Sequence, residues 1–290
     1  MLQDYVFSTS LEAALAILKD CRGKATIIAG GTDLVLQESR SKEKSQVFVD
    51  LSHIPELHGI REEDGWLVLG ANVTHTQAAF SSLVRAKAQA LAEASGSVGG
   101  RQVRNVATVA GNVISGQPAG DAAVALTALD ARCVLHDCLG GVREVTMPEM
   151  YAGICKSSVD CCAEILSHIR IPIAAQGEGS SYMRMEQRKA LSLPMLCVGA
   201  HVALEGGLVK AARIAMAPVG PGPQRAKEAE AFLAGKEPTR EVFQEAAALA
   251  DKNASFRTSS VRGTKEFRHA VLPVFVVRGL ELASSRAAAQ

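Results

Sequence analysis

The sequence predicts an α/β (α+β) protein: two small lobes followed by a smaller C-terminal α/β domain. Three observations carry this. Short apolar runs stop abruptly at glycine, alanine- and leucine-bearing stretches with helical spacing lie between them, and the composition turns small and polar after Pro172. The chain has 290 residues, 48% hydrophobic and 21% charged, an ordinary balance for a globular protein with room for more than one core.

Taken in order, Thr9 with Glu12 three residues on reads as a capping box, and Leu11, Ala14, Leu15 and Leu18 predict an amphipathic helix over 10–20. Ala25 to Ala29 is a short apolar run ending at Gly30-Gly31, which suits a buried strand entering a tight turn. Val47 to Val49 is a second strand, after a polar stretch from Glu38 to Gln46. Trp66 to Gly70 opens a strand-rich segment, and Ser81 to Ser95 is expected to be helical. Val103 to Gly111 leads into a second glycine-containing loop, and Asp121 to Leu129 again reads as helix. Strands are expected at Cys133–His136, Val142–Val145 and Ile165–Ile171. Beyond the boundary at Pro172, Met195–Leu204 and Val209–Ala217 read as a hairpin turning at Glu205-Gly206-Gly207. Pro218 to Pro223 breaks the chain, and helices are expected over Ala226–Ala234, Arg240–Asp251 and Thr264–Ala283.

Composition excludes several function classes. Lysine and arginine total 31 against 30 acidic residues, a net charge of +1, so nothing favours nucleic acid or an anionic membrane surface. Aromatics, at 4%, are too few for a base-stacking platform. The N-terminus lacks the basic and apolar regions of an export signal, and no run reaches the roughly 18–20 apolar residues of a membrane span. Seven cysteines without even spacing read as thiols, not a disulfide framework. A soluble, cytoplasmic protein is expected.

Two glycine loops are the candidate sites. In Ala29-Gly30-Gly31-Thr32-Asp33-Leu34 the glycines permit a sharp turn and close approach of backbone amides to a phosphate; the plain alternative is a strand-to-loop turn without ligand. No Gly-Lys-Ser/Thr follows, so this is not a Walker loop, and the three spaced glycines of the dinucleotide fingerprint are missing. The second loop runs from Arg104 to Asn112 and on through Ser115, Pro118 and Asp121. Thr108, Asn112 and Ser115 offer neutral hydrogen-bonding groups, Gly111 permits close approach, and Asp121 either accepts from sugar hydroxyls or caps the helix starting there.

At these residues the sequence resembles the FAD-binding subunits of the xanthine dehydrogenase and carbon monoxide dehydrogenase (molybdenum hydroxylase) family, and is most similar to the separate FAD subunit of bacterial xanthine-dehydrogenase-like enzymes. AGGTDL at Ala29–Leu34, RNVATVAGN at Arg104–Asn112 and PAGD at Pro118–Asp121 carry the resemblance. So do IRIP at Ile169–Pro172, YMRMEQRK at Tyr182–Lys189 and VRGTKEFR at Val261–Arg268, so it runs essentially end to end. It implies a two-lobed FAD-binding domain of the PCMH/vanillyl-alcohol-oxidase-like type over 1–175, with lobes at about 1–58 and 59–175. A C-terminal domain of the CO dehydrogenase flavoprotein type follows over 176–290.

The resemblance also implies noncovalently bound FAD. Its cofactor-binding residues would be Ile27, Ile28, Ala29, Gly30, Gly31, Thr32, Asp33 and Leu34 on the first loop, and Val98, Ala107, Thr108, Gly111, Asn112, Ser115 and Asp121 on the second. Leu166 would pack near the flavin ring. Arg184, where relatives often have lysine, would set a cation near the ring or else be a solvated surface charge. Ala110 and Gly120 stand where relatives often carry glycine and serine. No histidine lies in either loop to link a flavin covalently; His75, the nearest, suits a helix start or a solvated position. No catalytic acid, base or nucleophile is required, since the redox chemistry belongs to the flavin.

By the same resemblance, molybdopterin and 2Fe–2S clusters sit on partner subunits, and electrons pass from the clusters through FAD to NAD or another acceptor. Cys133 and Cys138 have the first spacing of a plant-type cluster motif without the second. Cys155, Cys161 and Cys162 read as thiols and not metal ligands. A free-standing flavin oxidoreductase, or a scaffold that has lost FAD, are the competing readings. The visible spectrum and co-purifying partners discriminate among them.

Overall fold

A computed structural model describes residues 2–41, 44–188 and 191–289. Lys42 and Glu43 of the polar stretch, and Lys189 at the end of the YMRMEQRK motif, lie outside the described residues.

The N-terminal lobe is built from β1 (Asp4–Phe7), α1 (Leu11–Cys21), β2 (Ala25–Ile28), α2 (Leu34–Arg40) and β3 (Val47–Asp50). Its sheet has the order β1-β3-β2, with both outer strands parallel to β3. Helix α1 is capped by Ser10, whose side chain accepts from the Ala13 amide, and not by Thr9; the cap lies one residue later than the capping-box pattern places it. Strand β1 and helix α2 escape the sequence reading. All four residues of β1 are at least partly exposed and α2 buries none of its own, so neither leaves an apolar signature.

The second lobe holds β4 (Ile60–Glu63), β5 (Trp66–Gly70), six short helices, and three further strands of its main sheet. The helices are α3 (His75–Phe80), α4 (Ser82–Lys87), α5 (Gln89–Ser97), α6 (Arg101–Val106), α7 (Val109–Ile114) and α8 (Asp121–Ala128). Strands β6 (Arg132–Asp137) and β7 (Val142–Thr146), a small ribbon of β8 (Tyr151–Gly153) and β9 (Lys156–Ser157), and β10 (Glu164–Pro172) complete it. The antiparallel sheet order β4-β5-β10-β6-β7 puts β10 at its centre. The segment after Trp66–Gly70 is therefore mainly helical, not strand-rich. The expected helix over 81–95 is two helices that break at Ala88.

The C-terminal domain is an antiparallel sheet of β11 (Glu178–Met185), β12 (Leu196–Glu205), β13 (Leu208–Ala217) and β14 (Gln224–Arg225), with α9 (Lys227–Leu233), α10 (Arg240–Lys252) and α11 (Lys265–Ala288). The hairpin turns at Gly206 and Gly207, both at positive φ as such a tight turn requires. The small polar stretch after Pro172 becomes strand at Glu178.

Helix α8 explains how the pieces fit. All eight of its residues are buried, four of them alanine, because it is covered on several sides at once. A Cβ at Gly199 of β12 would stand 3.0 Å from the Ala128 methyl and 3.1 Å from the Val124 carbonyl, so the C-terminal sheet rests directly on α8. One apolar core, with Leu18, Leu67, Leu91, Leu126 and Leu135, runs through both lobes. A second, around Phe243, Leu272, Val276 and Leu280, fills the C-terminal domain.

Backbone contact recurs between β11 and α11. A Cβ at Gly179 would meet the Ala283 carbonyl oxygen at 2.2 Å and the Ala287 nitrogen at 2.6 Å, atoms that cannot rotate away. Gly179→Val is therefore expected to cost about 3 kcal/mol of stability by forcing α11 off the sheet. Chemical denaturation measures it, and a midpoint equal to wild type contradicts the contact.

His75 opens α3 behind a capping box of Thr74 and Gln77, so the helix-start position holds, but the ring is 1% exposed, not solvated. Its Nδ1 lies 3.4 Å from Ser95 Oγ. Burial, with Arg104 adding repulsion, pushes its pKa down from 6.5 to about 4. The unfolded chain takes up this proton near pH 6.5 and the folded chain only near 4. The contribution to stability is thus whole above the upper value and is lost as pH falls toward the lower. About 2 kcal/mol disappears between about pH 7.5 and 5. Urea unfolding of wild type and His75→Gln at both pH values checks this: the stability gap should narrow by that amount at the lower pH, and an unchanged gap would refute it.

Candidate functional site

The first glycine loop begins where β2 leaves its sheet. Ile27 and Ile28 are the last two residues of that strand, with the Ile27 amide donating to the Cys161 carbonyl at 3.2 Å. After Ala29, a Cβ on Gly30 would lie 2.1 Å from the carbonyl oxygen of Val106, so the first loop is pressed against the backbone of the second. Only glycine allows that approach. Gly31 has φ +67°, and Leu34 starts α2 behind Asp33, whose side chain makes no capping bond. Desolvation raises the Asp33 carboxyl above its ordinary range. None of the amides from Gly30 through Leu34 finds an acceptor among the described residues. Successive unsatisfied N–H groups around a positive-φ glycine form an anion-accepting concavity.

The second loop is not a loop but two short helices, α6 and α7, with Ala107 and Thr108 between them. This junction is tied to the start of α3: the His75 amide donates to Ala107 O at 3.0 Å and the Val109 amide to Val73 O at 2.9 Å. Thr108 caps α7, its hydroxyl accepting from the Gly111 amide at 2.9 Å. Asn112 Oδ1 accepts from the Ala123 amide at 3.3 Å, and the Ser115 hydroxyl donates to Asn112 O at 2.9 Å. Part of the polar capacity that the sequence offers here is thus spent on local structure. Ala110 is buried in the core, where its methyl is accommodated. At Gly120 a Cβ would sit 2.8 Å from Asn112 Oδ1, so the missing side chain is the space that Asn112 occupies.

Val98 is the cap residue after α5, and its carbonyl accepts from Arg104 Nη1 at 2.9 Å. Gly99, at φ +47°, and Gly100 follow it and form a third glycine turn that sequence reasoning passed over. Its signal is the pair itself, Val98-Gly99-Gly100. Leu191 of the C-terminal domain packs over Gly100, its Cδ2 3.0 Å from where a Cβ would be.

Asp121 and Arg184 meet across the domain junction. Arg184 Nη1 donates to Asp121 Oδ1 at 2.6 Å, and the Tyr182 hydroxyl donates to the same oxygen at 2.7 Å. Asp121 does not cap its helix; Gly120 is the cap residue, and the carboxylate turns instead to β11. Arg184 also donates to Ser97 O at 2.8 Å and to Ser192 O, and pairs with Glu186 at 2.7 Å. Its side chain is 7% exposed, which removes the solvated-surface alternative. Burial works to lower the Arg184 pKa, but Asp121 holds it above its ordinary value. Burial raises the Asp121 carboxyl above its ordinary range, and the charge of Arg184 and the hydrogen bonds from Tyr182 and Arg184 act against that rise. Leu166, 1% exposed, faces Leu135 within the central sheet and makes no bond to these groups.

The structure therefore brings together Gly30 with the Val106–Ala107 junction, Thr108 with Gly111 and Asn112, and Asp121 with Arg184. Leu166 is buried in β10 of the central sheet. Among the described residues no group of three or more His, Cys, Asp or Glu side chains is placed to hold a metal ion. Burial pushes the thiols of Cys133 and Cys161 up to about 12, and Cys155 is exposed.

Residues 1–174 match the family model of the FAD binding domain in molybdopterin dehydrogenase, and 180–283 that of the CO dehydrogenase flavoprotein C-terminal domain. The xanthine dehydrogenase FAD-binding subunit of Escherichia coli O157:H7 is 30% identical, covering 91% of this chain and 90% of its own. The carbon monoxide dehydrogenase medium chain of Hydrogenophaga pseudoflava is 29% identical over 98% of both. A solved carbon monoxide dehydrogenase of that organism, lacking the Mo-pyranopterin moiety of its cofactor, superposes with a TM-score of 0.91 at 30% identity, covering 99% of this chain and 98% of the other. Quinoline 2-oxidoreductase of Pseudomonas putida 86 superposes with 0.89 at 25% identity, covering 99% and 98%. With the two models covering nearly its whole length, the chain belongs to the family of FAD-binding subunits of the molybdenum hydroxylase dehydrogenases, and is an oxidoreductase subunit.

Proposed function

We propose that this chain is the electron-transfer subunit of a xanthine-dehydrogenase-like molybdenum hydroxylase complex, taking electrons from 2Fe–2S clusters of a partner and passing them to NAD or another acceptor. Residues 1–175 serve as the flavin domain and 176–290 as the domain that closes over it. A ferredoxin-like 2Fe–2S subunit and a molybdopterin subunit are the partners. The location is cytoplasmic; no helix of the described residues is long and apolar enough to cross a membrane.

The observation that carries the reading is the row of amides from Gly30 to Leu34, without an acceptor among the described residues and pressed against the α6–α7 junction by the Gly30 contact. Those amides fit the pyrophosphate of FAD. The flavin, when bound, supplies the redox centre. The chain's own residues bind and orient it: Ile27 to Leu34 on one side, and Val98, Ala107, Thr108, Gly111, Asn112 and Ser115 on the other. The second oxygen of Asp121 serves a ligand hydroxyl, while Arg184 keeps a positive charge fixed nearby, its position set by Asp121 and by the carbonyls of Ser97 and Ser192. Leu166 supplies apolar wall. No side chain is asked to exchange a proton with substrate, since substrate oxidation takes place on the molybdenum subunit.

The test is a tagged pull-down from the native cell, with an absorption spectrum and metal analysis of the eluate. The reading predicts flavin absorbance with iron, molybdenum and two further polypeptides. Flavin on a solitary chain would overturn the subunit reading in favour of a free-standing oxidoreductase. A chain that stays colourless after reconstitution with FAD would contradict cofactor binding itself.

A further inference from the structure

A cavity of about 420 Å³ opens where the tail of the second loop meets the C-terminal domain. Gln117 to Ala119 form one wall, and Pro218 to Gly220 with the segment before α11 form the others. Its lining includes Arg257, Arg262 and Arg268 and, among the described residues, no aspartate or glutamate. Arg268 decides what the cavity is for. It is 4% exposed, yet its partners among the described residues are neutral: Nη1 donates to Arg257 O at 2.8 Å and Nη2 to Arg262 O at 3.1 Å. Its Nε, also buried, has no partner among the described residues. The charges acting on it, those of Arg262 and Arg257, are of its own sign, and burial together with them lowers its pKa.

A buried guanidinium with no counter-charge is expensive to keep, and elsewhere in this chain the cost is met: Arg184 has Asp121, and Arg225 has Glu230. Here the carbonyls fix the fork of Arg268 without neutralising it. Two exposed arginines stand beside it, and the positive end of the 24-residue helix α11 starts nearby at Lys265. Arginine forks match the oxygens of phosphate-class anions two at a time. Exposed Leu193 and Val261, with Pro194 and Val219, supply apolar wall alongside.

We propose that this cavity binds a phosphate-class oxyanion, with Arg268 as the fixed central donor and Arg257 and Arg262 as the closing pair. The apolar wall and the volume, within the range of small-molecule sites, suit a phosphate carried on a small organic body, such as a nucleoside phosphate. The cavity shares no lining residue with Gly30 to Leu34, although Gln117 to Ala119 belong to the tail of the second loop.

The experiment is calorimetric titration of the full chain, loaded with FAD, at constant ionic strength, using inorganic phosphate in one arm and ADP in the other. Saturable binding is expected, and the Arg257→Gln/Arg262→Gln double variant, altered only at exposed side chains, should weaken it by about ten-fold or more. Flavin absorbance of the variant should equal that of wild type, which reads the flavin site independently of this one. Arg268→Lys, which keeps the charge and removes the fork, should weaken binding with the same flavin content. ADP binding well ahead of phosphate identifies an organic phosphate as the ligand; equal affinities identify the free anion. No saturable heat from either probe up to about 10 mM, or affinities unchanged in the double variant, would overturn the proposal.

Discussion

The arrangement depends on one close approach, that of the Gly30 α-carbon to the carbonyl of Val106. It brings the end of a parallel strand in the N-terminal lobe against a helix junction in the second lobe, although the two are far apart in sequence. Glycine is required because the obstacle is backbone, which cannot change rotamer. The partner side is made rigid in turn: Ala107 and Val109 are hydrogen-bonded to His75 and Val73, and Thr108 caps the helix that follows. With the second surface fixed, the first loop presents at a defined place five amides that find no acceptor among the described residues. Successive unpaired donors around a positive-φ glycine form an anion-accepting concavity, and such a concentration of them is an argument for an anionic ligand.

Charge is handled in two ways at the junction with the C-terminal domain. Arg184 and Asp121 are both buried and mutually paired, with further hydrogen bonds to Tyr182, Ser97 and Ser192, so each charge meets its counter-charge within the chain. Glu93 of α5 repeats the pattern, accepting from the Tyr182 amide at 2.9 Å and pairing with Arg286 of α11 at 2.5 Å. These pairs set the register of β11 and α11 against the second lobe. The three-arginine cavity differs in having donors without a carboxylate. That contrast, more than the number of arginines, marks it as a place for something that the chain does not itself supply.

Much of the fold was legible from the sequence because its strands are short apolar runs with clear stops. ATII, VFV and WLVLG emerge as β2, β3 and β5, and the Gly206-Gly207 turn joins β12 to β13. What escaped did so for physical reasons. Strand β1 is largely exposed and α2 buries nothing, so neither has an apolar period. The second loop conceals α6 and α7 because six-residue helices are too short to display one. Ser10 and Thr9 are equivalent as capping residues by chemistry, and only the backbone path chooses between them. The glycine pair and the RNVATVAGN run are visible in the sequence. The contact between them is not, nor are the burial of His75 and the pairing of Arg184 with Asp121, since all of these are long-range.

The most direct measurement is the FAD dissociation constant of Gly30→Ala beside wild type, with circular dichroism and the unfolding midpoint taken on the same samples. The methyl has to displace the Val106 carbonyl, so the account predicts that flavin affinity falls by at least about ten-fold while the C-terminal domain keeps its secondary structure. An alanine variant that folds and binds FAD as tightly as wild type would show that the apposition of the two loops is not what holds the cofactor.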